Sequence, residues 1–209
     1  MLSRNVEKII KNWLLNKKEA LLVTGARQIG KTFTIRECLK TTSTDYLEIN
    51  LIERPELIPV FDNISNTDDM ILRLSVVSNK KLIPGKTVIF IDEVQELKEI
   101  VTRIKFLVED GRFRYILSGS LLGVELKDIK SVPVGYMDVI DMYPLNIREF
   151  YTNLGLSEDI FSNIKMCYEE EKPVDNYIHD KLIKTFYLYL IVGGMPETVN
   201  SYLETNDLA

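Results

Sequence analysis

Apolar residues recur at helical spacing near the start of the chain, where Val6, Ile9, Ile10, Trp13 and Leu14 stand between charged residues. That pattern predicts an amphipathic helix over 4–17. Ala20–Thr24 is an unbroken apolar run, the mark of a buried strand, and it stops at Gly25. Beyond the following turn, Ile35 and Leu39 place one face of a helix over 32–40 inward. Alternation over 45–51 predicts a second strand, and Met70, Ile71, Leu74 and Val77 a helix over 67–78. After the Pro84-Gly85 turn signal, 87–91 is a continuous apolar run suited to the centre of a parallel sheet. Val94, Leu97, Val101, Ile104, Leu107 and Val108 mark a helix that Asp110-Gly111 can end. Residues 113–117 and 134–141 are predicted as the fourth and fifth strands.

Strands alternating with helices imply βαβ units, hence an α/β protein with a parallel sheet covered on both faces. Beyond Pro144 the texture becomes helical, over 146–154, 160–170 and 175–191, until Gly193-Gly194 and Pro196 break it. The expected division is therefore a core over 1–144, with its leading helix, and a helical appendage over 145–209.

The turn between the first strand and its helix reads Gly25-Ala26-Arg27-Gln28-Ile29-Gly30-Lys31-Thr32. A triphosphate is a dense cluster of negative charge, and successive backbone N–H groups can wrap it where glycine lets the chain approach. A helix N-terminus adds its own N–H groups and dipole. In such a P-loop Lys31 reaches the β- and γ-oxygens, and the Thr32 hydroxyl is a ligand for Mg²⁺. A plain glycine turn with a surface lysine is the blander reading. The strand before the run and the helix after it favour the phosphate cradle.

Sixty-one residues after Lys31, the run Val88-Ile89-Phe90-Ile91 ends in Asp92-Glu93. Two acids there could simply cap the next helix. Beside a phosphate cradle they suit nucleotide hydrolysis, Asp92 holding Mg²⁺ through its waters and Glu93 orienting the attacking water. The next strand ends in Ser118-Gly119-Ser120. In a parallel sheet that end opens on the same edge, so Ser118, and second Ser120, are candidates to contact the water or the γ-phosphate. A GTPase is disfavoured, because Asn79-Lys80-Lys81-Leu82 lacks the Asp of a base-reading Asn-Lys-x-Asp motif.

Composition narrows the setting. The 26 Lys and Arg against 31 Asp and Glu give a net charge of −5, which argues against a surface built to coat nucleic acid. Arg4, Lys8, Lys11, Lys17 and Lys18 face only Glu7 in the first 18 residues, whereas 158–180 is strongly acidic. Both read best as solvated helix faces, so the charge pattern neither supports nor excludes nucleic acid. Cys38 and Cys167 form no paired pattern, which suits a reducing cytoplasm. There is no signal-peptide core, and the most apolar helical stretch, near 186–192, is too short for a bilayer.

The three motifs together resemble the AAA+-type P-loop ATPases of bacteria and archaea, in particular a group that usually carries a C-terminal domain of unknown function. Ile91-Asp92-Glu93-Val94-Gln95, Leu117-Ser118-Gly119-Ser120, Asp141-Met142-Tyr143-Pro144-Leu145 with Glu149-Phe150, and Gly193-Gly194-Met195-Pro196-Glu197 carry the likeness beyond the cradle. The resemblance implies a three-layer fold with a five-stranded parallel sheet of order 5-1-4-3-2, ATP and Mg²⁺ as cofactors, and Glu93 as the catalytic base. It also implies a chain that continues past residue 209, since such proteins carry a second domain about as long again. Many relatives have a Gly-Arg pair where this chain has Pro133-Val134-Gly135-Tyr136. No arginine finger is therefore assigned, and Arg112, Arg114 and Arg148 are weak candidates.

The leading expectation is Mg-dependent ATP hydrolysis coupled to conformational change in an unknown protein partner or a further domain. The alternative is a nucleotide-gated scaffold or switch with negligible turnover. An oligomer is compatible with either. A P-loop kinase would need lid arginines and an acceptor pocket, and the sequence shows neither.

Overall fold

The computed structural model describes residues 2–62, 64, 66–97, 99–120 and 135–208. Two compact units divide the chain, one of Val6–Met142 and the other of Met1–Asn5 with Tyr143–Ala209. The first five residues thus group with the helical unit. Periodicity in the sequence, which says that a helix is amphipathic but not which core receives its start, could not place them.

The larger unit begins with α1 (Asn5–Asn16) and then alternates β1 (Ala20–Thr24), α2 (Lys31–Thr41), β2 (Tyr46–Asn50), α3 (Thr67–Val77), β3 (Val88–Asp92), α4 (Glu99–Asp110), β4 (Arg114–Gly119) and β5 (Met137–Asp141). All five strands are parallel, in the order β2-β3-β4-β1-β5. This is the expected P-loop NTPase order seen from the opposite edge. Every residue of β1 and β3 is buried, as a sheet covered on both faces requires.

One face packs Leu22, Ile49, Ile89, Ile91 and Leu117 against Met70 and Leu74 of α3 and Ile100, Ile104 and Leu107 of α4. On the other face, Arg36 of α2 makes a forked ion pair with Glu48 of β2, its Nε 2.8 and 3.0 Å from the two carboxylate oxygens. Arg114 of β4 lies over the Trp13 ring of α1, 5.8 Å from its centroid. These pairs fasten the cradle's own helix and the leading helix to the sheet.

Three details differ from the sequence expectation. A 3-10 helix over Pro55–Phe61 follows β2, where Pro55 and Pro59 disrupt helical periodicity. The helix expected to start at Val94 begins as a 3-10 turn over Val94–Leu97, and α4 covers Glu99–Asp110. The fourth strand continues through Gly119, so Ser118 belongs to the sheet. Residues 121–134, including Pro133 and Val134 of the Pro-Val-Gly-Tyr stretch, lie outside the described residues.

The smaller unit contains α5 (Ile147–Asn153), α6 (Glu158–Glu169), α7 (Asn176–Val192) and α8 (Pro196–Thr205). Its core gathers Leu2, Leu145, Phe150, Tyr151, Leu156 and Val199. Asn146 and Glu149 form a capping box at the start of α5. Glu149 also accepts the Asn5 backbone N–H at 2.7 Å and pairs with buried Arg4 at 3.3 Å. Leu145 N donates to Gly194 O at 2.7 Å, and a Cβ on Gly194 would lie 2.2 Å from Leu145 O. The Pro-Leu and Gly-Gly signatures therefore meet backbone to backbone. Among the described residues no helix is long and apolar enough to cross a membrane.

Candidate nucleotide site

Parallel pairing puts every strand's C-terminal end on one edge, and the register aligns the chemistry there. Asn50 pairs with Asp92, Val23 with Ser118, and Thr24 with both Gly119 and Asp141. The turn after β1 leaves this edge at Gly25, whose φ of 141° is open mainly to glycine. A Cβ there would lie 2.1 Å from Met142 O, the residue just beyond β5. Gln28 (φ 65°) and Gly30 (φ 88°) are also left-handed, which turns the backbone N–H groups into the concave form that holds anions. Ile29 is fully buried and anchors the turn from beneath, while Ala26, Arg27 and Gln28 are exposed.

Lys31 is the first residue of α2 and is 6% exposed. Its ammonium donates to Gly25 O at 3.0 Å and Ala26 O at 2.7 Å, so it spans the mouth of the turn. Burial pulls its pKa below the ordinary lysine value, and the charges of Glu93 and Asp92 oppose that shift.

Asp92 is 1% exposed and accepts four hydrogen bonds, two on each oxygen. Thr32 Oγ1 donates to Oδ2 at 2.7 Å and Asn50 Nδ2 to the same oxygen at 3.1 Å. Glu93 N donates to Oδ1 at 3.0 Å, and the Ser118 hydroxyl donates to Oδ1 as well. The structure thus brings Thr32 and Asp92 together, as the motifs required. It sets Ser118, which is fully buried, on Asp92. Glu93 has a left-handed backbone, φ 59°, and is half-buried. Its carboxylate accepts from Gln95 Nε2 at 2.5 Å.

A cavity of about 630 Å³ opens over this edge, lined by Arg27, Gln28, Lys31, Thr32, Asn50 and Glu93 among others. That volume suits a small-molecule ligand. The oxygen pair of Thr32 and Asp92 fits a hard cation that keeps waters and phosphate oxygens as its remaining ligands, which is the habit of Mg²⁺. Among the described residues no cluster of three His, Cys, Asp or Glu forms an all-protein cage.

Sequence reasoning missed Asn50 and Gln95 as contacts of the acids. Asn50 stands at a strand end, the one local signal that could have flagged it. Gln95 carries no such signal, since its contact depends on the 3-10 turn. Of the arginine candidates, Arg112 pairs with Asp110 and Asp68, and Arg148 pairs with Glu158. Arg114 donates to Leu14 O.

The AAA domain family matches residues 17–151, a span that holds the cradle, the acidic pair and all five strands. The chain belongs to that family. It is an AAA+-type P-loop ATPase domain. Among solved structures, a Walker-type ATPase of Pyrococcus abyssi aligns over 100% of this chain and 69% of its own, at 16% identity and a TM-score of 0.55. The ORC1 protein of Aeropyrum pernix, solved in complex with DNA, aligns over 98% of this chain and 65% of its own, at 13% identity and a TM-score of 0.45. No curated protein matches the chain. At such identity the Pyrococcus likeness speaks for the fold alone.

Proposed function

We propose that this domain binds ATP with Mg²⁺ and hydrolyses it, and that hydrolysis drives a conformational change in a protein partner or a further domain. The observation that carries the reading is the 2.7 Å hydrogen bond from Thr32 Oγ1 to Asp92 Oδ2, beside Glu93 and Lys31 in one cavity. A cradle alone would speak only for binding. Its cation-side hydroxyl set on a buried acid, with a second acid facing the same space, speaks for hydrolysis.

In this reading the backbone N–H groups of 25–31 receive the β-phosphate, and Lys31 exchanges its carbonyl partners for β- and γ-oxygens. Thr32 and Asp92 would hold Mg²⁺, which would supply charge neutralisation to the phosphates. Glu93 orients a water in line with the γ-phosphorus and accepts its proton as the new P–O bond forms. The bond from the γ-phosphorus to the β-bridging oxygen breaks, leaving ADP and phosphate. Ser118 and Asn50 act through Asp92, keeping its carboxylate oriented. The unit of Val6–Met142 would then be the catalytic core, and the helical unit the part that transmits the change.

Calorimetric ATP binding tests the metal and the cradle apart from turnover. The native domain is expected to bind ATP more tightly with Mg²⁺ than without it. Asp92→Ala is expected to lose that metal dependence, and Lys31→Ala to bind about 100-fold more weakly, since hydrogen bonds to charged phosphate oxygens are among the strong ones. Metal-independent binding by the native domain would refute the Thr32–Asp92 assignment.

A further inference from the structure

Both acids at the end of β3 are tied to the C-terminal end of β4, by different routes. Asp92 is reached directly by the Ser118 hydroxyl. Glu93 is reached through Gln95, whose Nε2 donates to Glu93 Oε2 at 2.5 Å while its Oε1 accepts the backbone N–H of Ser120 at 3.2 Å. The Ser120 N–H fixes which end of the amide is which. It holds the oxygen toward β4 and leaves the NH₂ to face the carboxylate. Gln95 is itself set by the 3-10 turn Val94–Leu97, with Val94 and Leu97 buried and Glu96 N donating to Glu93 O at 3.1 Å. Glu93 adopts φ 59°, a region uncommon for a residue with a side chain and sustained only by its surroundings.

We propose that Gln95 is a positioning residue for Glu93, carrying the position of the β4 end to the carboxylate that works on the attacking water. The proposal rests on the ATPase reading above. One carboxylate oxygen is occupied by the amide, which leaves the other to accept from water. Because Gln95 uses both ends of its amide, a shift at Ser120 releases or re-aims Glu93 by a route that includes no residue of the 25–32 turn. Asp92 and Glu93 are then aligned from the same strand, the metal ligand by a hydroxyl and the base by an amide.

The test compares the native domain with Glu93→Gln, Gln95→Ala and the near-isosteric Gln95→Glu in steady-state hydrolysis across pH, alongside ATP affinity and thermal midpoint. Gln95→Ala is expected to lower kcat about tenfold, the value of one hydrogen bond to a charged group, with ATP affinity and KM near native. Gln95→Glu replaces a donor with a second carboxyl beside Glu93. Two adjacent carboxylates resist joint ionisation, so the acidic limb of its kcat profile is expected to move to higher pH. Native kcat and pH profile in both Gln95 variants, with Glu93→Gln inactive, would overturn this inference alone. Parallel loss of ATP affinity and thermal midpoint in both variants would overturn it in favour of a structural role. Equal turnover by the native domain and Glu93→Gln would bring down the ATPase reading and this inference with it.

Discussion

Gly25 and Lys31 show how little freedom single residues have at this edge. A Cβ on Gly25 would lie 2.1 Å from Met142 O at a φ of 141°, a clash with backbone that no rotamer relieves. Gly25→Ala is therefore expected to cost on the order of 1–3 kcal/mol in a denaturant titration and to abolish ATP binding. Lys31 makes a pH-dependent case. In the proposed function its ammonium binds phosphate, yet burial favours the neutral amine, so its pKa is below the ordinary 10.5. ATP affinity should then fall with rising pH at a lower pH than an unshifted lysine would give. A pH series of ATP titrations checks this, and Lys31→Arg, which stays charged, should flatten the decline.

At the scale of elements, the sheet and its two layers of helices carry the stability. Ile91 is fully buried between β2 and β4, and Ile91→Ala is expected to cost roughly 2–5 kcal/mol in denaturant unfolding. Burial pushes the Cys38 thiol of α2 up to about 11 from 9.0, and on the face shared with Ile91 it also raises the Tyr115 phenol of β4. Both groups hold their protons more tightly when folded, so their contribution is complete below the unfolded pKa and is lost as pH rises through the folded one. Stability should decline from about pH 9 to 11, and Cys38→Ala should make that decline shallower. Strands β1, β3 and β4 were legible because unbroken apolar runs such as Val88–Ile91 have few other homes in a small α/β protein, and β2 because its residues alternate. The turn over 25–32 and the acids at the end of β3 were legible because each is local in sequence. That Val94–Leu97 is a 3-10 turn was not, since the apolar spacing is the same there as in α4. Nor were the Asn50–Asp92 and Gln95–Ser120 contacts, which arise from strand register and a turn rather than from spacing.

For the molecule as a whole, the signatures beyond residue 140 divide between the two units. Asp141 accepts from the Thr24 hydroxyl and Met142 N donates to Thr24 O at 2.8 Å, so these residues brace the strand that launches the cradle. Leu145, Glu149 and Gly194 belong to the helical unit and hold it together. There Glu149 caps α5, accepts from Asn5 and pairs with buried Arg4, so Glu149→Ala is expected to cost roughly 3–5 kcal/mol. Hydrogen exchange should show the loss concentrated in α5 and its neighbours, with the sheet's amides still protected. The chain aligns with 69% of the length of the Pyrococcus ATPase, so that protein holds residues beyond the part this chain matches.

The proposed hydrolysis and the role of Gln95 both depend on Glu93 converting a nucleotide-binding edge into a hydrolytic one. Phosphate release by the native domain and by Glu93→Gln, measured at saturating ATP and Mg²⁺ with ATP affinity followed in parallel, tests it most directly. Slow but measurable release by the native domain is expected, with a fall of about 100-fold or more in Glu93→Gln and undiminished ATP binding in the variant. Identical release from the two proteins, with ATP bound equally well by both, would contradict it.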